Sequence, residues 1–450
     1  INTGAAGLTG GAAADDDKKY YDGDTVILEK AGATGAFADK TVANNKAVTI
    51  SGLTLSGEDA GNYTVTDNSG ATANITAKAI TSTGITASNK VYNANTVATL
   101  NTGTAVLTGG AVADDDNKYY TGDTVTLDTS GAAGLFADKT VANNKAVTIS
   151  GLTLSGEDAG NYTVTDNSGA TANITAKAIT STGITASNKV YNANTVATLN
   201  TGTAVLTGGA VADDDNKYYT GDTVTLDTSG AAGLFADKTV ANNKAVTISG
   251  LALSGADAGN YTVTDASNAT ANITAKPITA TGVTAVNKIY NANTVATLNT
   301  GLAAITAGAT ADDDKKYYDG DTVILEKAGA TGAFADKTVA NNKAVTISGL
   351  TLSGEDAGNY TVTDNSGATA NITAKAITST GITASNKVYN ANTVATLNTG
   401  TAVLTGGAVA DDDNKYYTGD TVTLDTSGAA GLFADKTVAN NKAVTISGLT

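Results

Sequence analysis

The fold of this chain is decided by the stretch Ser155-Gly156-Glu157-Asp158-Ala159-Gly160-Asn161-Tyr162, which runs into the alternating residues Thr163-Val164-Thr165. Acidic residues and glycine form a turn, and the tyrosine two residues beyond the second glycine opens a strand. This layout is typical of a tyrosine corner, in which the ring is buried and the hydroxyl group bonds back across the turn. We therefore predict structural corner tyrosines where the stretch recurs, at Tyr63, Tyr162, Tyr261 and Tyr360.

The corner tyrosines lie 99 residues apart, so the chain is one module written about four and a half times. A unit of this length is too long for a solenoid repeat and matches a small domain with one core. We predict β modules at 79–177, 178–276 and 277–375, with partial modules at 1–78 and 376–450. Because the chain begins and ends inside a module, we expect it to be an excerpt of a longer array.

Within one module, short alternating stretches are separated by Gly, Asn and Asp turns. The clearest strand is Lys145 to Leu154, where apolar and polar residues alternate over ten positions. Seven or eight such strands predict an all-β fold, a tandem array of immunoglobulin-like β-sandwich modules, with β-grasp-like modules as the alternative. The junction Thr175-Ala176-Lys177-Ala178 leaves no flexible tether, so the pattern predicts end-to-end docking and a rod-shaped array.

The composition of the 450 residues excludes several classes of function. The chain contains no Cys, Met, His or Trp, so it has no disulfides and lacks the common ligands of zinc, copper and haem. Without a histidine base or a cysteine nucleophile we expect no enzyme, although the sequence does not exclude glycoside hydrolysis by a pair of carboxylates. A net charge of −16 disfavours nucleic acid and anionic membranes as partners. No apolar run reaches the length of a membrane span, so we expect no direct membrane insertion.

An acidic loop is the most distinctive chemical feature of each module. Clustered carboxylates are the ligands that Ca²⁺ takes in proteins, although acidic loops are commonly just solvated and this spacing matches no EF-hand. The sequence therefore offers Ca²⁺ as the one candidate cofactor. The candidate ligands are Asp15, Asp16, Asp17, Asp24, Asp114, Asp115, Asp116 and Asp123.

A pair of neighbouring tyrosines follows the acidic residues in each module. Because side chains alternate across a strand, one ring of each pair is expected in the core and one at the surface. The exposed ring could contact a sugar or another chain. The candidate interface residues are Tyr20, Tyr21, Tyr119 and Tyr120.

Taken together, the motifs resemble the YDG-type repeat domains of bacterial filamentous-haemagglutinin-like surface adhesins. The resemblance rests on Ile174-Thr175-Ala176-Lys177-Ala178-Ile179-Thr180, Lys189-Val190-Tyr191, Phe136-Ala137-Asp138-Lys139-Thr140-Val141 and the stretch from Leu152 to Tyr162. The family's Lys-x-Tyr-Asp-Gly reads Lys90-Val91-Tyr92-Asn93-Ala94 here, and its junction proline occurs only at Pro277.

The resemblance implies a secreted or surface-bound bacterial protein, and we expect this segment to be its stalk or fibre. The alternatives are a self-assembling extracellular filament or biofilm-matrix protein, and a carbohydrate-binding repeat array. The expected partners are accordingly other copies of the chain or glycans of a host or cell surface.

Overall fold

The computed structural model describes residues 1–450, and every regular element except four 3₁₀ turns is a β-strand. The turns are Ala60–Asn62, Ala159–Asn161, Ala258–Asn260 and Ala357–Asn359, each immediately before a corner tyrosine. The predicted all-β class and its tandem repetition are confirmed. No helix has the length and hydropathy needed to cross a membrane.

The second repeat serves as the reference because it is complete. Its strands are, in order, β1 (Lys78–Thr83), β2 (Thr86–Ala87), β3 (Lys90–Val91), β4 (Val97–Ala98), β5 (Leu100–Asn101), β6 (Val106–Leu107), β7 (Gly109–Ala111), β8 (Tyr119–Tyr120), β9 (Thr126–Asp128), β10 (Ala133–Phe136), β11 (Ala142–Ser150), β12 (Thr153–Ser155), β13 (Tyr162–Asp166) and β14 (Thr171–Thr175).

The other repeats place their strands at equivalent positions. The first has Ile27–Glu29, Thr34–Phe37, Ala43–Ser51, Thr54–Ser56 and Thr72–Ile75. The third has Lys177–Thr182, Thr185–Ala186, Lys189–Val190, Val196–Ala197, Leu199–Asn200, Val205–Leu206, Thr225–Asp227, Ala232–Phe235, Ala241–Ser249, Ala252–Ser254, Tyr261–Asp265 and Thr270–Thr274. The fourth has Lys276–Thr281, Thr284–Ala285, Lys288–Ile289, Val295–Ala296, Leu298–Asn299, Ala304–Ile305, Ile324–Glu326, Thr331–Phe334, Ala340–Ser348, Thr351–Ser353, Tyr360–Asp364 and Thr369–Thr373. The fifth has Ser379–Thr380, Thr383–Ala384, Val394–Ala395, Leu397–Asn398, Val403–Leu404, Ala430–Phe433 and Val444–Ser447.

Each repeat folds as two lobes rather than as one sandwich. In the reference repeat, the N lobe comprises 78–83, 105–130 and 152–167. Its sheet has the order β6-β1-β13, with β1 antiparallel to β6 and parallel to β13. The antiparallel pair β9–β12 and the parallel pair β7–β8 complete this lobe. The N lobe therefore holds the acidic loop, the tyrosine pair and the corner tyrosine.

The C lobe comprises 84–104, 131–151 and 168–175. Its five-stranded sheet has the order β3-β14-β11-β10-β4. The short loop 92–96 joins the edge strands β3 and β4, so the two edges come together and the sheet is nearly closed. The antiparallel pair β2–β5 lies beside it. Phe136, Val147 and Ile174 fill its interior, each at most 6% exposed. The parallel pairs β1–β13 and β3–β14 are absent from the antiparallel sheets of an immunoglobulin sandwich.

The hydrophobic cores cross the boundaries between sequence repeats. One core combines Tyr92, Phe136 and Ile174 from the C lobe of the second repeat with Ile179 and Tyr261 from the N lobe of the third. A second core joins the third repeat to the fourth in the same way, and it includes Tyr191, Phe235 and Tyr360. Apolar burial is the main stabilising term in folding, so each C lobe depends on the following N lobe for part of its stability.

Contacts divide the chain into two compact units, and the division falls inside the third repeat. One unit comprises 1–182, 204–229 and 251–266, and the other comprises 183–203, 230–250 and 267–450. The N lobe of the third repeat thus belongs to the first unit and its C lobe to the second. The predicted modules follow the 99-residue sequence period, whereas the units follow the contacts between a C lobe and the next N lobe.

Candidate functional site

A tyrosine projects from the C lobe at the end of β3, in the Lys-Val-Tyr motif. Strand β3 pairs in parallel with Ile174 and Thr175, and the Tyr92 amide donates to the Thr175 carbonyl oxygen at 2.8 Å. The Lys90 ammonium group donates to the Asn93 side chain at 2.8 Å and lies 5.3 Å from the Phe136 ring centre. Burial lowers the pKa of Lys90. The motif therefore holds Tyr92 in a fixed loop whose base is anchored in the C-lobe core; we call this tyrosine the plug.

The plug enters a pocket of the following N lobe, which we call the socket. The Tyr92 side chain is 0% exposed and lies edge-on to two socket rings. Its centroid is 6.1 Å from that of Tyr219 and 5.3 Å from that of Tyr261, with interplanar angles of 68° and 75°. Edge-to-face rings attract because the positive edge of one meets the negative face of the other. Tyr219 belongs to the tyrosine pair and Tyr261 is the corner tyrosine of the third repeat.

A single carboxylate, Asp222, joins these rings at the base of the socket. The hydroxyl groups of Tyr92 and Tyr261 donate to Asp222 Oδ2 at 2.7 and 2.6 Å. Lys139, from the C lobe of the preceding repeat, donates to Asp222 Oδ1 at 2.6 Å. The Tyr219 amide donates to the Tyr261 hydroxyl oxygen at 3.0 Å. Both oxygens of Asp222 and the hydroxyl groups of Tyr92 and Tyr261 are therefore paired, which a buried polar group requires to avoid a desolvation penalty.

The socket is an environment in which the carboxylate is charged and the phenols are neutral. Burial raises the pKa of Asp222, but the bonds from Lys139, Tyr261 and Tyr92 outweigh it and leave the pKa below its ordinary value. Burial and the bond to Asp222 raise the pKa of Tyr92 to about 12. The bond to Asp222 also raises the pKa of Lys139. Near neutral pH the junction thus contains an ion pair reinforced by two phenol donors.

A further bond connects the two lobes through the turn that precedes the corner tyrosine. The Val141 amide, in the C lobe, donates to the Asn260 side-chain oxygen at 3.0 Å. Asn260 ends the 3₁₀ turn Ala258–Asn260 and is 5% exposed. The turn of acidic residues and glycine therefore does more than reverse the chain, because it presents an amide side chain to the preceding repeat.

The same junction recurs along the chain. Tyr191 and Lys238 donate to Asp321 at 2.7 and 2.8 Å, and Val240 donates to Asn359 at 3.0 Å. Tyr290 and Lys337 donate to Asp420 at 2.9 and 2.7 Å. Between the first and second repeats, Lys40 donates to Asp123 at 2.6 Å and Val42 to Asn161 at 2.9 Å. The junction is therefore a property of the repeat rather than of one position.

Three of the four corner tyrosines are buried, Tyr63 is half-buried, and all four have distant partners. Tyr162, Tyr261 and Tyr360 are 5–6% exposed. Their hydroxyl groups donate to an aspartate 39 residues upstream, as Tyr162 does to Asp123 at 2.6 Å and Tyr63 to Asp24 at 2.6 Å. The expected bond across the adjacent turn is therefore replaced by one to the acidic loop. Asp123 follows β8 and lies in the same lobe as β13, which pairs with β1.

In each tyrosine pair, one ring packs inside the N lobe and the other lines the socket at the junction. The first tyrosine of each pair covers a small residue, which is alanine at Ala307 and glycine in the other repeats. A Cβ added at Gly109 would lie 2.5 Å from the Tyr119 ring, and one at Gly10 would lie 2.7 Å from Tyr20. The second tyrosine lines the socket, and Tyr120 donates to Asp114. Tyr21 is 45% exposed, whereas the equivalent Tyr219 and Tyr318 pack against plugs. These contacts leave sugar binding by the tyrosine pairs as a prediction.

The acidic-loop carboxylates lie apart and have separate partners. Asp17 and Asp116 cap their loops by accepting backbone amides, for example from Ala13 and Val112 at 2.8 Å. The backbone bonds hold the pKa of Asp116 at about 2. Asp114 accepts from Tyr120, while Asp24 and Asp123 accept from corner tyrosines. Asp15, Asp16 and Asp115 are exposed. No group of three or more carboxylates is suitably placed for a metal ion, so the geometry gives the Ca²⁺ prediction no support.

A buried lysine also uses the acidic loop. Lys177, which opens the third repeat, is 0% exposed, and its ammonium group donates to the Ala212 carbonyl oxygen at 2.8 Å and to Asp215 at 3.0 Å. Lys276 makes the equivalent bonds to Ala311 and Asp314. The acidic loop thus neutralises a buried cation at the start of each repeat.

Sequence reasoning did not find the plug or its lysine. Tyr92 and Asp222 are 130 residues apart, more than one repeat, so a search within one module cannot pair them. The available signal was the Lys-Val-Tyr motif, which repeats in step with Asp222 and its equivalents.

The repeated sequence matches a known protein family. The family model of the YDG domain matches residues 2–71, 76–170, 175–270, 274–368 and 373–450. A comparison with curated proteins gave no significant match. Since five successive matches cover nearly all residues, the predicted resemblance is confirmed: the chain belongs to the YDG domain family, with five tandem copies.

Proposed function

We propose that this chain is the structural repeat region, a stalk or fibre, of a bacterial cell-surface or secreted adhesin-like protein. In this role it spaces a functional region from the cell and has no catalytic activity. We place it outside the cell or on the bacterial surface. The membership of the YDG family supports the repeat architecture, and the adhesin context is part of the proposal.

The observation that carries the proposal is the repetition of one junction with the same chemistry. Plug, lysine and aspartate meet between the second and third, third and fourth, and fourth and fifth repeats, with bond lengths from 2.6 to 3.0 Å. A binding array would vary exposed surface, whereas a spacer needs consecutive repeats that do not hinge. The recurrence of the same buried contacts at successive junctions favours the spacer.

The energetic design of the junction supports the same role. A short connection such as Thr175-Ala176-Lys177 is reinforced by an aromatic plug, an ion pair whose carboxylate is buried and a backbone bond. Asp222 and Asp321 are 3% exposed at their side chains, so their ion pairs are screened less than surface pairs. Such a junction resists both bending and exchange with solvent.

Local stiffness of the junction can be measured in the intact chain, which has no cysteine. Cysteines placed at the exposed, equivalent positions Asp115 and Asp214 would carry spin labels for a pulsed dipolar distance measurement. We expect one narrow distance distribution, which broadens when Tyr92→Ala removes the plug. A broad distribution in the chain with its plug intact would argue against a spacer.

The spacer role itself is tested in the organism that produces the protein. Deletion of 178–276 removes one period and joins Lys177 to Pro277 in register. We expect immunogold label on the far side of the array to move towards the cell by a constant increment per deleted period. A label found only inside the cell, or one whose distance does not change, would refute the proposal.

A further inference from the structure

Strands β1 and β13 of the reference repeat form a parallel pair in the N lobe. Residues 78–82 of β1 lie opposite residues 162–166 of β13, so five residue pairs form one ladder. The Asn167 amide donates to the Ser82 carbonyl oxygen at 2.9 Å and extends the ladder by one bond. Because both strands run in the same direction, their first residues, Lys78 and Tyr162, lie side by side at one end. We call this pair of strands the clamp.

The clamp lies where the chain enters and leaves the repeat. β1 is the first strand of the repeat, and β13 is followed only by the turn 167–170 and by β14. Ala176 alone separates the end of β14 at Thr175 from the equivalent first strand of the next repeat, Lys177–Thr182. Tension along the chain therefore enters a repeat at the start of β1 and leaves it beyond the end of β13. The residues between the two strands carry no tension while the ladder holds.

The parallel direction decides how tension acts on the clamp. Tension pulls β1 towards its start and β13 towards its end, and in a parallel pair these are opposite directions along the strand axis. The two strands can separate only by sliding, so the evenly spaced ladder bonds must break together. In an antiparallel pair the same tension would open the ladder from one end, one bond at a time. The topology of the repeat therefore places the clamp in shear.

Side chains brace the end of the clamp at which the strands begin. In the third repeat, the first strand begins at Lys177, which is 0% exposed and donates to Asp215 at 3.0 Å. Tyr261 lies opposite Lys177, is 5% exposed and donates to Asp222 at 2.6 Å. Ile179, in the middle of the ladder, is 1% exposed. Burial keeps water from competing for the ladder bonds, which are stronger in a medium of low dielectric constant.

The clamp recurs in the third and fourth repeats, each time with five residue pairs. Residues 177–181 pair with 261–265, and residues 276–280 pair with 360–364. Pro277 lies inside the fourth clamp, where a missing N–H group would normally cost a ladder bond. The Thr279 amide donates to the Lys315 carbonyl oxygen at 3.1 Å, outside the ladder. Residue 277, two positions earlier, directs its backbone to the same side as Thr279, so the proline leaves the ladder complete.

We infer that the clamp makes each repeat a tension-bearing element, which keeps its length under a pull along the chain until the ladder shears. The inference goes beyond the proposed function, because a spacer separates two regions whether or not it is under tension. A weak clamp would therefore overturn this inference and leave the spacer role standing.

Pulling one clamp in two directions tests the inference in the 450-residue chain. The chain has no native cysteine, so thiol-reactive handles attach only at introduced cysteines. Ala79→Cys with Asn167→Cys loads the clamp in shear, from the start of β1 and beyond the end of β13. Ala79→Cys with Thr163→Cys loads the same clamp at one end only and peels it. All three residues are exposed, and each rupture should release a similar length of chain, about 30 nm.

The two variants share one handle and one fold, so they differ only in the direction of the force. We expect the rupture force in shear to be at least about threefold higher than in peeling at the same loading rate, since five residue pairs share the force in shear and one pair bears it in peeling. Forced unfolding reports the unfolding barrier, so this comparison measures the clamp directly. Equal rupture forces, or a higher force in peeling, would overturn the inference.

Pulling from the two ends tests whether the clamp lies on the path of the tension. Ile1→Cys with Thr450→Cys loads all repeats in series. We expect the second, third and fourth repeats to rupture at forces closer to the shear value than to the peeling value. Rupture forces closer to the peeling value would mean that the tension bypasses the clamp, and they would overturn the inference.

Discussion

The plug is the feature whose removal should cost the most, and the chain contains its own control. Tyr191 is 0% exposed, whereas Tyr389 has the same local sequence and is 57% exposed. We consider Tyr191→Ala and Tyr389→Ala, two identical chemical changes with opposite burial. Any effect on the unfolded chain is the same for both, so their difference isolates the contribution of the socket.

The expected magnitude follows from the contacts of Tyr191. Its ring lies edge-on to Tyr318 at 6.1 Å and to Tyr360 at 5.4 Å, and its hydroxyl group donates to Asp321 at 2.7 Å. Truncation of a fully buried aromatic side chain destabilises by about 3–5 kcal/mol. Tyr191→Phe should cost only about 1–2 kcal/mol, since Asp321 keeps its bonds from Lys238 and Tyr360. Both changes at Tyr389 should stay within about 0.5 kcal/mol.

Urea unfolding of residues 1–450, followed by far-ultraviolet circular dichroism, measures the difference. With a slope of about 2 kcal/mol per molar urea, Tyr191→Ala should lower the midpoint of the affected transition by about 2 M. The unit that contains 183–203 should respond, and the transition of the other unit should not move. Equal shifts for Tyr191→Ala and Tyr389→Ala would refute the assignment of the junction as a stabilising contact.

Three further perturbations follow from particular contacts. Gly250 has a φ of +75°, and Gly250→Ala would press a Cβ against the Gly230 carbonyl oxygen, so it should destabilise by about 1–3 kcal/mol in thermal unfolding. Gly202→Ala meets nothing within 4 Å and serves as its control, and equal melting temperatures for the two variants would contradict this. Asp215→Asn leaves the buried ammonium group of Lys177 without its carboxylate and should lower the free energy of unfolding by about 3 kcal/mol. The same change at the exposed Asp213 should have no effect, and equal urea midpoints for the two variants would contradict this. Hydrogen bonds in the folded junction lower the pKa of Asp222, so the stabilisation from its charge is complete above the ordinary carboxyl pKa of about 4 and is lost as the pH falls through the lower folded value. Asp222→Asn should therefore flatten the fall of the melting temperature at acid pH. An unchanged fall would refute the link between the charge of this carboxylate and the stability of the junction.

At alkaline pH the junction should lose stability as the pH rises, because a tyrosine rather than a carboxylate changes its charge. The folded pKa of Tyr92 is raised to about 12, so its contribution is present below the unfolded value of about 10 and disappears as the pH rises towards the folded one. Ultraviolet titration of the phenolate band should therefore show buried tyrosines that ionise only together with loss of the junction. Ionisation of all tyrosines near pH 10, with the junction intact, would contradict the geometry.

Local sequence patterns were enough to predict the all-β class, the repeat and the family. Alternation in 145–154 and the Gly, Asn and Asp turns are local signals, and they predict the all-β class because the side chains of a strand alternate between two faces from one residue to the next. The 99-residue spacing of Tyr63, Tyr162, Tyr261 and Tyr360 set the period directly. The corner tyrosines were also recognised as buried groups, since a turn followed by an alternating strand is a local pattern.

Which surfaces meet depends on contacts between residues that are far apart in the sequence. The split of each repeat into two lobes depends on strand pairing between residues more than 80 positions apart, as in Lys78 with Tyr162. The partner of the corner hydroxyl and the neutralisation of Lys177 by the acidic loop follow from that pairing. The junction of Tyr92 with Asp222 lies further still, because a buried tyrosine and an ion pair become favourable only where two lobes exclude water together. Sequence periodicity repeats every such group but cannot state whether its partner lies in the same repeat or in the next one.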